Sequence, residues 1–224
     1  MFIGHFAVAF GAKNVAPRTS VATLIAAAQL LDLLWPILVL LGIETVRIDP
    51  GAASPFLRPR FVHYPWTHSL LMAVVWGIAF ALVYRAKTGY ARGAAAVGAL
   101  VVSHWVLDWI VHRPDLQLAP GVDARVGLGL WTFPAATIAV EGLLFIAGVT
   151  VYALTTRPRD RVGAWAFWGF VAFLLLAYTS TIAGGAPPSP QAVAAGALAG
   201  WILLPWIAWF DRHREVIALP SWRP

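Results

Sequence analysis

The sequence GAAAVGALVVSHWVLDWIVHRPD, residues 93–115, joins a membrane-span pattern to a group of ionisable residues. The part before His112 is apolar and long enough to cross a bilayer as one helix. His104 and Asp108 are four residues apart, so their side chains lie on one helical face, about 6 Å apart along the axis. His112 continues this face, and Pro114 is expected to stop the helix.

The pair formed by His104 and Asp108 indicates a metal site. A neutral imidazole and a carboxylate on one helical face can supply two ligands to a divalent ion. Ionisable groups are costly inside a membrane, and those that occur there usually serve a function. A hydrogen-bonded pair that holds two helices together is the alternative, and the pair alone does not decide between them.

The composition places this site in a membrane protein. Of the 224 residues, 60% are hydrophobic and 12% are charged, which excludes an ordinary soluble domain. The chain has no cysteine, so a metal ion would be held by histidine, carboxylate or water. The formal charge of +6 comes from basic residues in short loops between apolar segments. This pattern reflects membrane topology, and we expect no nucleic-acid partner.

The apolar segments predict an all-α, polytopic bundle that forms one domain over residues 1–224. Residues 2–12 are too short to span a bilayer and are expected to form a half-helix or an interfacial helix that carries His5. The last two spans contain no charge, so residues 1–155 should carry the site and residues 162–210 should act as scaffold. The six expected spans are residues 21–41, 70–84, 93–111, 133–154, 162–183 and 193–210.

The basic residues also predict the orientation. If the C-terminus is cytoplasmic, most lysines and arginines lie on the cytoplasmic side of the membrane. We therefore expect a multi-pass protein of a bacterial-type inner (plasma) membrane.

Other spans contain isolated ionisable residues. Asp32 is the one charge of residues 21–41, and Pro36 should kink that helix just past it. Pro65 suits a first helical position, which would put His68 in the first turn of the next span, where the helix dipole disfavours imidazolium. Each has a structural alternative: a protonated Asp32 bonded to a neighbouring helix, or His68 as part of a helix start with no ligand role.

These groups fall into one layer of the membrane. With a rise of about 1.5 Å per residue, they lie roughly 5 to 15 Å below the outer surface. Scattered structural pairs would have no reason to share a depth, so the layer favours a single metal site over an incidental role for His5. The expected ligand pool is His5, Asp32, His68, His104 and Asp108, with Glu141 of the span 133–154 at the same level.

In this order, the residues resemble an inner-membrane metal-dependent hydrolase family of the YdjM/YbcI type, which includes LexA-regulated members. The matching pieces cover roughly the first half of the chain: Gly4-His5, Asp32, Thr67-His68-Ser69, and His104 with Asp108. The family has a second Asp and a His just after the first Asp, whereas this chain has Leu33-Leu34-Trp35, so the resemblance does not extend to a second metal there. The family itself resembles helical zinc-dependent phospholipases C, which implies a zinc-type site.

Together these features predict a membrane-embedded metal-dependent hydrolase that cleaves an ester or phosphoester of a lipid-like substrate in the outer half of the bilayer. Zn²⁺ is the expected ion, with Mn²⁺ and Fe²⁺ as alternatives. Glu141 or His63 would be the general base, and Arg113, Arg58 or Arg60 would hold a phosphate.

Two other functions stay open at this stage. An ion- or proton-coupled transporter would use the same groups as a relay, but would need polar residues that continue to the cytoplasmic face. A non-catalytic metal-stabilised membrane protein would need only the site. A membrane lipid is the expected partner, and the sequence leaves the oligomeric state open.

Overall fold

The computed structural model describes residues 1–217, which form a bundle of α-helices with three small two-stranded antiparallel sheets. The helices are α1 Ile3–Val15, α2 Val21–Ala28, α3 Leu30–Leu40, α4 Pro65–His68, α5 Leu70–Thr88, α6 Ala91–Val111, α7 Pro134–Thr155, α8 Arg161–Ala183, α9 Pro190–Ala197 and α10 Ala199–Arg212. Two of the sheets are hairpins, which pair β1 Thr45–Ile48 with β2 Pro59–His63 and β3 Leu116–Gln117 with β4 Arg125–Val126. The third sheet pairs β5 Thr156–Pro158 with β6 Arg214–Val216, near the two ends of the last three helices.

The expected multi-pass helical bundle is confirmed. Helices α5, α6, α7 and α8 are each long and apolar enough to cross a membrane, as is the segment Pro190–Arg212 that contains α9 and α10. The pair α2 and α3 makes a sixth span if the two bent helices are counted together.

The first span is broken, and at a different residue from the one expected. The axes of α2 and α3 meet at 53°, with Gln29 between them, whereas Pro36 lies inside α3. In a continuous helix, the carbonyl of Ala28 would accept from the N–H of Asp32. It accepts instead from the Nδ1 of His104, at 2.7 Å. A tertiary hydrogen bond therefore replaces a helical one at the break.

Helix α1 is a half-helix that lies within the bundle. Most of its residues are buried, including His5 and Phe10, and it packs against α2, α6 and α7. Its close approach to α7 depends on Gly148, because a Cβ there would lie 2.2 Å from the carbonyl oxygen of Ala7. This contact holds His5 in the interior, so an interfacial position for α1 is excluded.

The loops separate into two ends, as the charge pattern predicts. At one end Lys13 donates to the carbonyl of Thr19 at 2.8 Å and lies 3.7 Å from Asp211, close to the β5–β6 sheet. At the other end Arg58 of the β1–β2 hairpin donates to the carbonyl of Gly184. Which end faces the cytoplasm stays a prediction.

Because the chain has no cysteine, single-cysteine variants can test the orientation. We expect a membrane-impermeant maleimide to label a Gly185→Cys variant in intact cells, and an Ala91→Cys variant only after permeabilisation. Both positions are exposed, and Gly185 lies in the loop after α8 whereas Ala91 begins α6 at the opposite end. The reverse labelling pattern would invert the topology.

The contact between α1 and α7 can be tested with a matched pair of glycine substitutions. A Gly148→Ala variant should lose stability, because an overpacked interior contact costs about 1–3 kcal/mol. A Gly142→Ala variant should keep or gain stability, because nothing lies within 4 Å of a Cβ there and alanine favours a helix. The thermal midpoint in detergent measures both, and equal midpoints would contradict the proposed contact.

Candidate metal centre

Helices α1, α3, α4 and α6 bring the five predicted ligands together, and we call these residues the His/Asp cluster: His5, Asp32, His68, His104 and Asp108. Asp108 lies at its centre, with Oδ1 3.1 Å from the Nε2 of His5 and Oδ2 3.2 Å from the Nε2 of His104. The Nε2 of His68 lies 3.3 Å from Asp32 Oδ1 and 3.7 Å from Asp108 Oδ2. The amino group of Met1 also donates to Asp108 Oδ1.

His104 has a fixed tautomer. A carbonyl oxygen only accepts, so the Nδ1 that bonds to Ala28 carries the proton and Nε2 keeps a lone pair. This Nε2 is fully buried and has no hydrogen-bond partner, although two carboxylates lie within 4 Å. A lone pair that faces carboxylate oxygens requires a cation between them, either a metal ion or a second proton on the ring.

His68 is oriented by a chain of hydrogen bonds. The hydroxyl of Thr67 donates to Glu44 Oε2 at 2.7 Å and therefore accepts from the Nδ1 of His68, also at 2.7 Å. The N–H of Thr67 donates to Glu44 Oε1 at 2.9 Å. Burial raises the pKa of Glu44, and the charge of His68 and the hydrogen bonds from Thr67 oppose that shift. The Nε2 of His68 thus also keeps its lone pair toward the cluster.

The position of His68 differs from the sequence expectation. Pro65 does begin a helix, but this is the single turn α4, and His68 is its last residue. The chain is extended at Ser69, whose hydroxyl then accepts from the N–H of Met72 to start α5. The dipole of the spanning helix therefore does not act on His68 as expected, and Thr67 determines its tautomer instead.

A further histidine, His112, lies beside the cluster. It is just past the end of α6, and its Nε2 lies 4.0 Å from Asp108 Oδ2. Its Nδ1 donates to Asp115 Oδ1 at 3.0 Å, and the hydroxyl of Tyr64 donates to the same oxygen at 2.7 Å. Burial and the Asp115 charge raise the pKa of Tyr64 well above its usual range, which keeps the phenol protonated as a donor. The spacing after Asp108 was the sequence signal for His112.

Glu141 lies next to the cluster and supports α1. It is fully buried, and its Oε2 accepts from the N–H groups of Phe2 and Gly4 at 2.8 and 3.4 Å. Its Oε1 has no hydrogen-bond partner, and its charge is close enough to interact with that of Asp108. Glu141 is therefore bonded to the N-terminal end of the helix that carries His5, and its role as general base stays a prediction.

None of the other predicted catalytic residues bonds to a residue of the cluster within residues 1–217. His63 is exposed at the end of β2, opposite Thr45. Its side chain forms no hydrogen bond, ion pair or ring contact within residues 1–217. Arg113 lines a separate cavity at the same end of the bundle, and Arg58 is engaged with the carbonyl of Gly184. A direct part for His63 in proton transfer has no contact to support it.

One side of the cluster opens into an apolar cavity of about 390 Å³. Asp32, whose side chain is 44% exposed, lies in its wall. The walls come from α1, α3, α8, α9 and α10, so the charge-free helices that we expected to be scaffold also shape this cavity. Their contribution is mostly apolar: Phe173, Ala177, Gly196, Ala197, Ala199, Gly200, Leu203, Leu204 and Ile207.

Contacts with Leu33 hold α10 against α3 at this cavity. The indole N–H of Trp201 donates to the carbonyl of Leu33 at 2.9 Å. A Cβ on Gly200 would lie 3.1 Å from the Leu33 side chain, so a small residue is favoured there.

No protein-family model, curated protein or solved structure matches this chain. The resemblance of its motifs to a hydrolase family therefore stays a prediction. A functional assignment has to come from the geometry of the His/Asp cluster and of the cavity beside it.

Proposed function

We propose that this chain is a membrane-embedded metal-dependent hydrolase that cleaves an ester or phosphoester bond of a lipid-like substrate. One observation carries the proposal. Two buried histidines, His68 and His104, have Nδ1 bound to an acceptor and Nε2 directed at the carboxylates of Asp32 and Asp108. Such outer hydrogen bonds orient the ligands of protein metal sites.

The donor set fits a divalent ion. One ligand atom each from His68, His104 and Asp108 lie within 4.8 Å of one another, and so do those of His5, Asp32 and His104. Tetrahedral zinc with bonds of about 2.0 Å separates its ligands by about 3.3 Å. This is close to the shortest distances from Nε2 to a carboxylate oxygen, 3.2 Å for His104 and 3.3 Å for His68. Nitrogen and oxygen donors suit Zn²⁺, and Mn²⁺ or Fe²⁺ as alternatives.

A bound ion would acidify a water molecule and polarise an ester or phosphoryl oxygen. Of the two proposed general bases, Glu141 has the supporting contacts, because its Oε1 is unpartnered beside the cluster. His5 stacks on His104 with ring centres 3.7 Å apart, and its Nε2 contacts Asp108 Oδ1, which leaves its Nδ1 without a partner. His5 can therefore bind an ion or orient Asp108.

The apolar cavity supports a lipid-like substrate. Its volume lies within the range of about 300–1,000 Å³ that small-molecule sites occupy. Apart from Asp32 and Gln29, the residues in its wall are apolar. An acyl chain in this cavity would bring its ester to Asp32, the most exposed carboxylate of the cluster.

The two alternatives have less support. A transporter needs a polar path across the bundle, but residues 6–12 of α1, between His5 and Lys13, are all apolar or glycine. A non-catalytic metal protein does not need the cavity beside Asp32. An assay of lipid hydrolysis on the metal-loaded protein separates it from the hydrolase.

Removal of the central ligands should remove the metal. A His104→Ala, Asp108→Ala double variant should retain less than about a tenth of the bound metal and lose hydrolysis of a mixed phospholipid extract, because both substitutions delete donors at the centre of the cluster. Metal content by mass spectrometry and lipid products by chromatography measure the two effects.

A His63→Ala variant is the control, because it deletes an exposed histidine without cluster contacts and should keep its metal. Full metal content in a folded double variant would refute the metal site. Metal binding without hydrolysis would favour the non-catalytic alternative.

The hydrogen bonds behind His68 should tune the metal affinity. A Thr67→Val variant removes the hydroxyl that joins Glu44 to His68 at nearly constant volume, and should weaken metal binding about 10- to 100-fold. Competition with a chelator of known affinity measures the effect. A Thr137→Val variant is the matched control, because this buried threonine donates to the carbonyls of Leu130 and Phe133 just before α7 and has no bond to a cluster residue among residues 1–217. Equal affinities in the two variants would show that the Glu44–Thr67 contact has no part in the site.

A further inference from the structure

Four arginines surround a second cavity, of about 370 Å³, at the end of the bundle that carries the β1–β2 and β3–β4 hairpins. We call it the arginine cavity. Arg47 and Arg60 lie directly opposite each other on β1 and β2. Arg125 comes from β4, and Arg113 follows α6.

The position of Arg113 depends on a close backbone contact. A Cβ on Gly127 would lie 2.1 Å from the carbonyl oxygen of Arg113, so only glycine allows the β4 segment to approach this closely. The N–H of Gly129 then donates to the carbonyl of His112 at 2.7 Å. The segment that carries Arg125 is therefore packed against the one that carries Arg113.

The positive charges of the arginine cavity are not balanced. None of the four arginines forms an ion pair with a carboxylate of the described residues 1–217. Arg47 and Arg60 are directly opposite each other on paired strands. Like charges in such positions destabilise a hairpin. The sequence thus retains a repulsion here that an anionic ligand would relieve.

Two buried or half-buried carboxylates at this end of the bundle are bonded to other groups. Glu44, next to β1, is buried and bonded to both the N–H and the hydroxyl of Thr67. Asp115 is the one acidic residue that lines the cavity, and its Oδ1 accepts from Tyr64 and His112. Four guanidinium groups therefore face a space with a single, already bonded carboxylate.

We infer that the arginine cavity binds the phosphate group of an amphiphilic ligand. Guanidinium groups bind phosphate through paired, charge-assisted hydrogen bonds, for which lysine is less suited. Phe61 lines both the arginine cavity and the apolar cavity beside Asp32. A ligand with a phosphate head and an apolar chain can therefore occupy both cavities, on the two sides of one aromatic ring.

The arginine cavity also adjoins the His/Asp cluster. Asp115 in its wall bonds to His112, whose Nε2 lies 4.0 Å from Asp108 Oδ2. This inference deepens the proposed hydrolase function by naming the substrate headgroup, and the identification of the ligand as a substrate rests on that function. Phosphate binding itself does not depend on turnover.

The test measures binding by full-length, EDTA-treated protein in neutral detergent micelles, so that neither metal binding nor hydrolysis contributes. The probes are inorganic pyrophosphate and a fluorescent phosphatidic acid. An Arg47→Gln, Arg60→Gln double variant should bind about 10- to 100-fold more weakly, because it loses charge-assisted hydrogen bonds. An Arg157→Gln, Arg159→Gln double variant removes the same charge near Glu215, at the opposite end, and should bind as the unmodified protein does.

Stability supplies a second readout. The thermal midpoint of the ligand-free Arg47→Gln, Arg60→Gln variant should stay constant or rise, because a repulsion is removed. A purely structural role for these arginines predicts a lower midpoint. If the double variant does not fold, Arg125→Gln on the exposed β4 strand repeats the binding test.

The two probes distinguish the source of the phosphate. If the Arg47→Gln, Arg60→Gln variant binds phosphatidic acid more weakly than the unmodified protein does, whether or not pyrophosphate binds, the ligand is a lipid headgroup. If only the binding of pyrophosphate is weakened, the cavity recognises the phosphate of a soluble ligand. Equal affinities in the two double variants, or no binding of either probe to the unmodified protein, would overturn the inference. Metal content is measured separately, so a failure here is distinguishable from a failure of the hydrolase proposal.

Discussion

The hydrogen bond from His104 Nδ1 to the carbonyl of Ala28 is the contact on which the site depends. It leaves the Nε2 lone pair of His104 directed at two carboxylates. The acceptor, Ala28, is the last residue of α2, and the axis of α3 turns by 53° just after it. This bend brings Asp32 of α3 to the cluster. One interaction thus sets the tautomer of His104 and ties α6 to the point where the first span is broken.

Helix α1 depends on a comparable combination of local and tertiary contacts. A half-helix in a bundle has an N-terminus with unpaired N–H groups at membrane depth, and each of these needs an acceptor. Glu141 supplies one by accepting from Phe2 and Gly4, and Gly148 lets α1 lie against α7. The carboxylate that satisfies the helix end is therefore held beside Asp108, where its second oxygen remains unpartnered. Glu141 can therefore support α1 through Oε2 and still use Oε1 as the proposed general base.

The sequence predicts the spans and the ligand pool because both follow from local rules. Apolar length identifies spans, helical spacing pairs His104 with Asp108, and a common depth groups these with residues on other helices. The rest depends on tertiary contacts that local patterns do not contain. Proline at 36 is the stronger local signal for a kink, yet the break lies at Gln29, where Ala28 bonds to His104 of another helix. Glu44 and Thr67 are joined across a hairpin. The absence of charge in residues 162–183 and 193–210 gives no sign that they line a cavity.

Charge balance connects the cluster to its two cavities. With neutral imidazoles, the carboxylates of Asp32 and Asp108 outweigh the single positive charge of the Met1 amino group, so the cluster stays negative and favours a bound cation. The arginine cavity carries the opposite imbalance, and the apolar cavity carries almost no charge. Phe61 separates these environments, with its ring centre 5.1 Å from that of His112 and 5.3 Å from that of Trp35. An amphiphile that occupies both cavities must pass the ring of Phe61. Asp32 is the carboxylate of the cluster that is exposed in the apolar cavity. Under the proposed function, the bond nearest the junction of head and chain is therefore the one that the cluster would attack.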